Sequence, residues 1–115
     1  MSISGRRENS MLHYELEWSP DALEDLDEIW DTIAWDADPD VADSFIDQLR
    51  EVARGICGNS KKGRIIPELG LEAFREVYYK GFTIVYEITE ETILVHEVFN
   101  QKRIYIRSYP RKKRE

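Results

Sequence analysis

The feature that most constrains this chain is a helix-start signal that occurs twice, nineteen residues apart. Ser19-Pro20-Asp21 and Asp38-Pro39-Asp40 each supply a side-chain oxygen to cap free N–H groups, a proline at the first helical position, and an acid in the first turn where the helix dipole favours it. An amphipathic period follows each signal. After the first, Ala22, Leu23, Leu26, Ile29, Trp30, Ile33 and Ala37 recur at three- and four-residue steps. This predicts a helix from Pro20 to about Asp36 and leaves Asp21, Glu24, Asp25, Asp27, Glu28 and Asp31 mainly to water. After the second, Ala42, Phe45, Ile46, Leu49, Val52, Ala53 and Ile56 mark a helix that stops near Gly58. So short a connection joins the two as an antiparallel hairpin.

Each helix has one apolar stripe to bury, and the flanking segments supply strands to bury it on. From Leu12 to Trp18 the residues alternate, with Leu12, Tyr14, Leu16 and Trp18 on one face and His13, Glu15 and Glu17 on the other. Residues 1–11 are polar without either period and read as a disordered leader, with Met11 an alternative start. Residues 58–71 hold Gly58, Gly63, Gly70, Pro67 and the cations Lys61, Lys62 and Arg64, which predicts a loop with a short strand through Ile65-Ile66. Three strand-like runs follow, Ala73–Tyr79, Phe82–Ile88 and Thr92–Phe99, linked by a tight turn at Lys80-Gly81 and by Thr89-Glu90-Glu91. Neighbouring runs pair antiparallel, and the first strand joins the same sheet so that the helices cover one face. The expected fold is α+β: an N-terminal strand and an antiparallel helix hairpin packed on a small, mainly antiparallel sheet, one domain over residues 12–107, then a basic tail, 108–115.

With 115 residues and 42% hydrophobic side chains, the chain supports one core. It has no run of roughly 18 apolar residues to cross a membrane and no apolar segment behind Arg6-Arg7 to act as a secretion signal, so a cytoplasmic protein is expected. Cys57 is alone, and with only His13 and His96 beside it no metal or other cofactor is expected. Charge is divided. Residues 1–57 carry 4 basic and 15 acidic side chains, residues 58–115 carry 12 and 8. A basic second half suits a phosphate-bearing or acidic partner, although a solvated surface has the same composition.

Four short runs then stand in a telling order: Gly63-Arg64-Ile65-Ile66-Pro67-Glu68-Leu69, Phe74-Arg75-Glu76-Val77, Gly81-Phe82-Thr83-Ile84-Val85-Tyr86, and Lys102-Arg103. Together with the element order they make residues 12–107 resemble the ParE/RelE toxin superfamily of type II toxin–antitoxin systems, closer to the ParE branch. The resemblance implies a toxin held silent in a hetero-oligomer with a cognate antitoxin, whose C-terminal segment fills a groove of the toxin, often as a helix followed by an added strand. It leaves the activity open. ParE-like toxins inhibit DNA gyrase by contact, whereas RelE-like toxins cut messenger RNA on the ribosome. A third outcome is a degenerate, non-toxic binding module.

The nuclease needs cations to stabilise a pentacoordinate phosphate and a group to move protons. Its candidates are Arg75, Arg103 and Tyr109, with Tyr105 the other phenol. The pattern is incomplete: Thr83 stands where the family often has arginine, and Phe99 where some members have histidine. Losing one guanidinium from such a site costs a few kcal/mol of transition-state stabilisation, which favours gyrase inhibition without catalysis. The candidate partner-binding residues are Lys61, Lys62, Arg64, Lys102, Arg103 and Arg107. Arg75 and Glu76 are adjacent on a strand and must face opposite ways, so Arg75 is available to a partner only from the open face. Tyr78, Tyr79 and Tyr86 divide between the two faces. Trp18 and Trp30 belong to core faces, Trp35 lies off the stripe toward a partner, and His96 is a sheet-face residue.

Overall fold

The computed structural model describes residues 13–100. The expected leader, the limits of the predicted domain, Leu12 and the basic tail lie outside the described residues.

Both start signals are used. Ser19 accepts from the Ala22 N–H at 3.0 Å and opens helix α1, Pro20–Asp36; Asp38 accepts from the Val41 N–H at 2.9 Å and opens α2, Pro39–Cys57. Gly58 closes α2. Before them runs β1, Glu15–Trp18, with Leu16 and Trp18 inward and Glu15 and Glu17 outward, as the alternation predicts. After them come β2 (Arg64–Ile65), β3 (Phe74–Tyr79), β4 (Phe82–Ile88) and β5 (Thr92–Asn100). The short strand thus lies one residue earlier than predicted, and β3 omits Ala73.

The sheet has the order β1-β5-β4-β3-β2. β1 runs parallel to β5, and every other pair is antiparallel. A parallel pairing follows from topology, because the chain crosses back over the sheet through the hairpin before the meander begins. Lys80 and Gly81 have φ of 48° and 88°, the left-handed pair that a two-residue hairpin turn requires.

The helix-covered face carries the main core: Ala22, Leu26 and Ile29 of α1 and Ile46, Leu49 and Ala53 of α2 pack on Ile84, Val95 and Val98. At its end Ile56 and Cys57 meet Tyr86 and Ile93. Burial, with Glu15 adding to it, pushes the Cys57 thiol above its ordinary pKa. Val85 follows Ile84 on the strand and so faces the other way, where Ile66, Leu69, Phe74 and Phe99 pack with it. Trp18 and Trp30 are half-buried against the core, whereas Trp35 is 88% exposed. Trp30 also donates from Nε1 to Asp43 at 2.8 Å, tying the helices together.

Two residues of α1 and its C-cap Ala37 depart from the periodic reading. Leu23 and Ala37 are exposed, and Asp25, expected in water, is buried. For Asp25 the cause is the shortness of β1, which ends at Trp18 and leaves the second half of β5 paired with β4 on one side but without a strand on the other. α1 stands in for that strand. The Ser19 N–H donates to the Val95 carbonyl at 2.9 Å, the Ser19 hydroxyl donates to the His96 carbonyl at 2.9 Å, and Asp25 accepts from the Val98 N–H at 2.9 Å. A buried carboxylate therefore satisfies a main-chain donor that the sheet leaves over. The register between β4 and β5 slips at Val85/Tyr86, so that Val85 opposes Glu97 and Tyr86 opposes Val95. His96 is the extra residue, on the sheet face as predicted, with Nε2 2.9 Å from Glu87 and its ring stacked on Phe74.

Candidate functional site

The loop that carries the resemblance is fastened by side chains from both faces of the sheet. On the helix side Tyr86 of β4 is fully buried, and its hydroxyl accepts from the Gly63 N–H at 2.9 Å while donating to the Ser60 carbonyl at 2.8 Å. Its cross-strand partner on β3 is Arg75. That guanidinium donates from Nη1 to the Gly63 carbonyl and from Nε to the Glu72 carbonyl, each at 3.0 Å. Gly63 is thus held at both its N–H and its C=O. A Cβ there would lie 2.6 Å from the Glu76 carbonyl oxygen and 2.8 Å from the Tyr86 hydroxyl, so only glycine fits. Burial pushes the Tyr86 phenol above its ordinary pKa, against the opposing pull of the Gly63 hydrogen bond and the Arg75 charge.

One residue along β3, on the opposite face, the Glu76 carboxylate is buried. It accepts from Arg64 Nε at 3.0 Å and from the Tyr78 hydroxyl at 3.1 Å, with Arg64 Nη2 at 2.8 Å. Arg64 Nη2 also donates to the Tyr78 hydroxyl at 2.9 Å, and its guanidinium lies 5.6 Å from the Tyr78 ring centroid. The hydrogen bond it donates to Glu76 is the main reason the Arg64 pKa is raised. A hidden acid therefore orients an exposed arginine and an exposed tyrosine, two side chains over-represented among residues that dominate protein interfaces.

This geometry sorts the predicted site residues. Arg75 and Glu76 do point to opposite faces; Arg75 takes the helix side and is 7% exposed, so the condition for its meeting a partner from the open face is not fulfilled. The reason is the loop: two main-chain carbonyls and the Glu72 carboxylate, 3.8 Å away, claim its guanidinium. Thr83 and Phe99 are also buried, so neither residue that replaces the family's arginine or histidine opens to a substrate. Lys61 and Lys62 are exposed, Lys61 within 3.5 Å of Glu72. Arg64, Ile65, Leu71 and Tyr78 share with them the exposed border around β2. Lys102, Arg103, Tyr105, Arg107 and Tyr109 lie outside the described residues. Among the described residues no group of His, Cys, Asp and Glu could hold a metal ion, and no helix is long and apolar enough to cross a membrane.

The sequence reading did not find the holders, Glu76, Tyr78 and Tyr86, as one device. Their spacing along the chain carries no such signal; only the register of Arg64 on Glu76 and of Arg75 on Tyr86 brings them to the loop. The surface so built is a two-residue edge strand flanked by cations and apolar side chains, suited to an acidic, partly apolar partner that adds along the edge.

The sequence model of a family described as the ParE toxin of type II toxin–antitoxin system, parDE, matches residues 16–105. No curated protein matches significantly. Among solved structures, a chain of the chromosomal ParDE toxin–antitoxin system from P. aeruginosa superposes with a TM-score of 0.66 at 18% identity, covering 76% of this chain and 96% of that one. A chain of the RelBE2 toxin–antitoxin complex from Mycobacterium tuberculosis gives 0.59 at 16% identity, covering 80% and 95%. At such identities the likeness is one of fold: a helix hairpin on a mixed sheet with an N-terminal strand.

Proposed function

The chain belongs to the ParE toxin family of type II toxin–antitoxin systems, and from that membership we propose that it inhibits DNA gyrase in the cytoplasm by protein–protein contact and is silenced by a cognate antitoxin. The observation that carries this reading is the use made of the arginines. A ribosome-dependent nuclease needs guanidinium groups aimed at a phosphate in an open groove. Here Arg75 is spent on the carbonyls of Gly63 and Glu72, and Arg64 is fixed to a buried carboxylate. Such cations position a loop and present a recognition surface; neither is arranged to follow charge as it develops on a reacting phosphate.

The Arg64–Tyr78 border is the part we assign to partners, with Lys61 and Lys62 beside it. An acidic antitoxin segment laid along β2 would gain main-chain hydrogen bonds from the edge and charge pairing from Arg64. The solved relatives, drawn from toxin–antitoxin systems, support the idea of such a partner. A gyrase supercoiling assay with the purified chain tests the proposal. The expected result is inhibition that the antitoxin relieves at equimolar ratio; undiminished supercoiling without stabilised DNA breaks would reject it.

A further inference from the structure

One concave surface takes no part in the loop just described. Where α1 passes the end of β5, a groove of about 270 Å³ opens between Ile29 and Ile33 of α1 and Phe82 of β4. Asp25 and Glu28 lie along its helix side, and Asn100, the last residue of β5, stands in its wall. A cavity of about 150 Å³ holds benzene, so this one has room for one or two large side chains. It combines an apolar floor with an acidic lip.

We propose that this groove seats the chain's own segment Lys102-Arg103-Ile104-Tyr105-Ile106-Arg107. Three observations select that occupant. The segment begins two residues after Asn100, so it is delivered to the groove by the strand that helps to form it. Tethering over so short a span gives an effective concentration on the order of millimolar, ahead of any untethered competitor of like affinity. Charge matches as well: the segment holds Lys102, Arg103 and Arg107 and no acid, while the helix that forms the lip presents Glu28 with Asp27 and Asp31 exposed beside it. Its pattern also fits, since alternation along an extended segment would set Ile104 and Ile106 toward the floor and Arg103, Tyr105 and Arg107 toward the lip and solvent, with Lys102, in phase with the isoleucines, at the mouth of the groove. The acidic hairpin thereby becomes an internal counter-surface for the cations that follow the last strand. A partner that recruits those cations must first draw them out of the groove. The inference is independent of which target the toxin takes.

Limited trypsin digestion of the full-length chain, read by mass spectrometry, tests it. Cleavage after Arg111, Lys112 and Lys113 is the internal control, because those sites lie beyond the seated segment. Cleavage after Lys102, Arg103 and Arg107 is expected to be at least tenfold slower than the control. The variant Glu28→Lys with Thr32→Arg, both at exposed groove positions, should bring the two rates together while the circular dichroism and melting temperature stay unchanged. Equal rates in the wild-type chain would overturn the proposal. So would protection that survives the double variant, which would put the segment elsewhere, or protection that appears only after antitoxin is added, which would give the groove to the partner.

Discussion

The helix hairpin and the loop-bearing sheet edge of this protein are stabilised by different kinds of contact. α1 and α2 are held by apolar side chains at helical spacing, with Ala22, Ala42, Leu49 and Ala53 fully buried, and they turn a rank of carboxylates to water. The loop from Ser60 to Leu69 has far fewer apolar anchors, chiefly Ile66 and Leu69. Its shape depends on polar side chains sent from the sheet, Tyr86 and Arg75 to the main chain of Gly63 and Glu76 to the side chain of Arg64. Burial of apolar area is non-directional and carries most of the stability, whereas a directional hydrogen bond contributes about 1 kcal/mol but fixes an atom in place. The hairpin is therefore the part that keeps the protein folded, and the edge is the part that presents a surface.

This contrast can be broken most easily where the effects are largest. Leu49→Ala removes a fully buried side chain between the helices and the sheet. We expect a loss of about 2–5 kcal/mol, seen as a lower urea midpoint for the whole chain. If it costs less than the loop variants that follow, the division of labour is wrong. Gly63→Ala comes next, at about 3 kcal/mol, the upper end of ordinary overpacking because the opposing atom is backbone. Its amide exchange should rise selectively over residues 60–66, leaving the helices protected.

Tyr86→Phe removes both hydrogen bonds to the loop at a cost of about 2 kcal/mol. It also changes the response to alkali. The folded pKa of Tyr86 is raised, so at a pH above the ordinary tyrosine value of about 10 the unfolded chain loses a proton that the folded chain keeps. The stabilisation is whole below that pH and falls as pH climbs toward the folded value. Wild type should lose stability above pH ~10 more steeply than the phenylalanine variant; parallel curves would mean that the phenol is not buried as described. The smallest effect belongs to Lys61→Ala. Its ion pair with Glu72 is exposed on both sides, so stability should change by less than ~1 kcal/mol. Association with the antitoxin should slow at low salt and recover to the wild-type rate at high salt, as measured by stopped-flow mixing.

The same contrast explains what could be read from the sequence. The hairpin was legible because capping chemistry and period are local: Ser19-Pro20 and Asp38-Pro39 marked both starts to the residue. The meander was legible too, through alternation and the Lys80-Gly81 turn. Asp25 was misjudged because its role depends on where β1 ends relative to β5, which sets this helix residue against Val98, 73 residues further along the chain. The face taken by Arg75 stays open in the sequence for a related reason. Alternation showed that it and Glu76 part company, but which of them meets the helices depends on register, and Gly63 reaches Arg75 only through the pairing of β2 with β3. Local chemistry writes the elements, and non-local pairing decides which charged groups are spent on structure.

The claim on which the functional account rests is that this toxin acts by contact and leaves RNA uncut. Mapping transcript 5′ ends in cells induced to make the chain without its antitoxin tests it most directly. The account predicts arrested growth with transcript ends unchanged from uninduced cells; new ends placed at a fixed position within codons would contradict it.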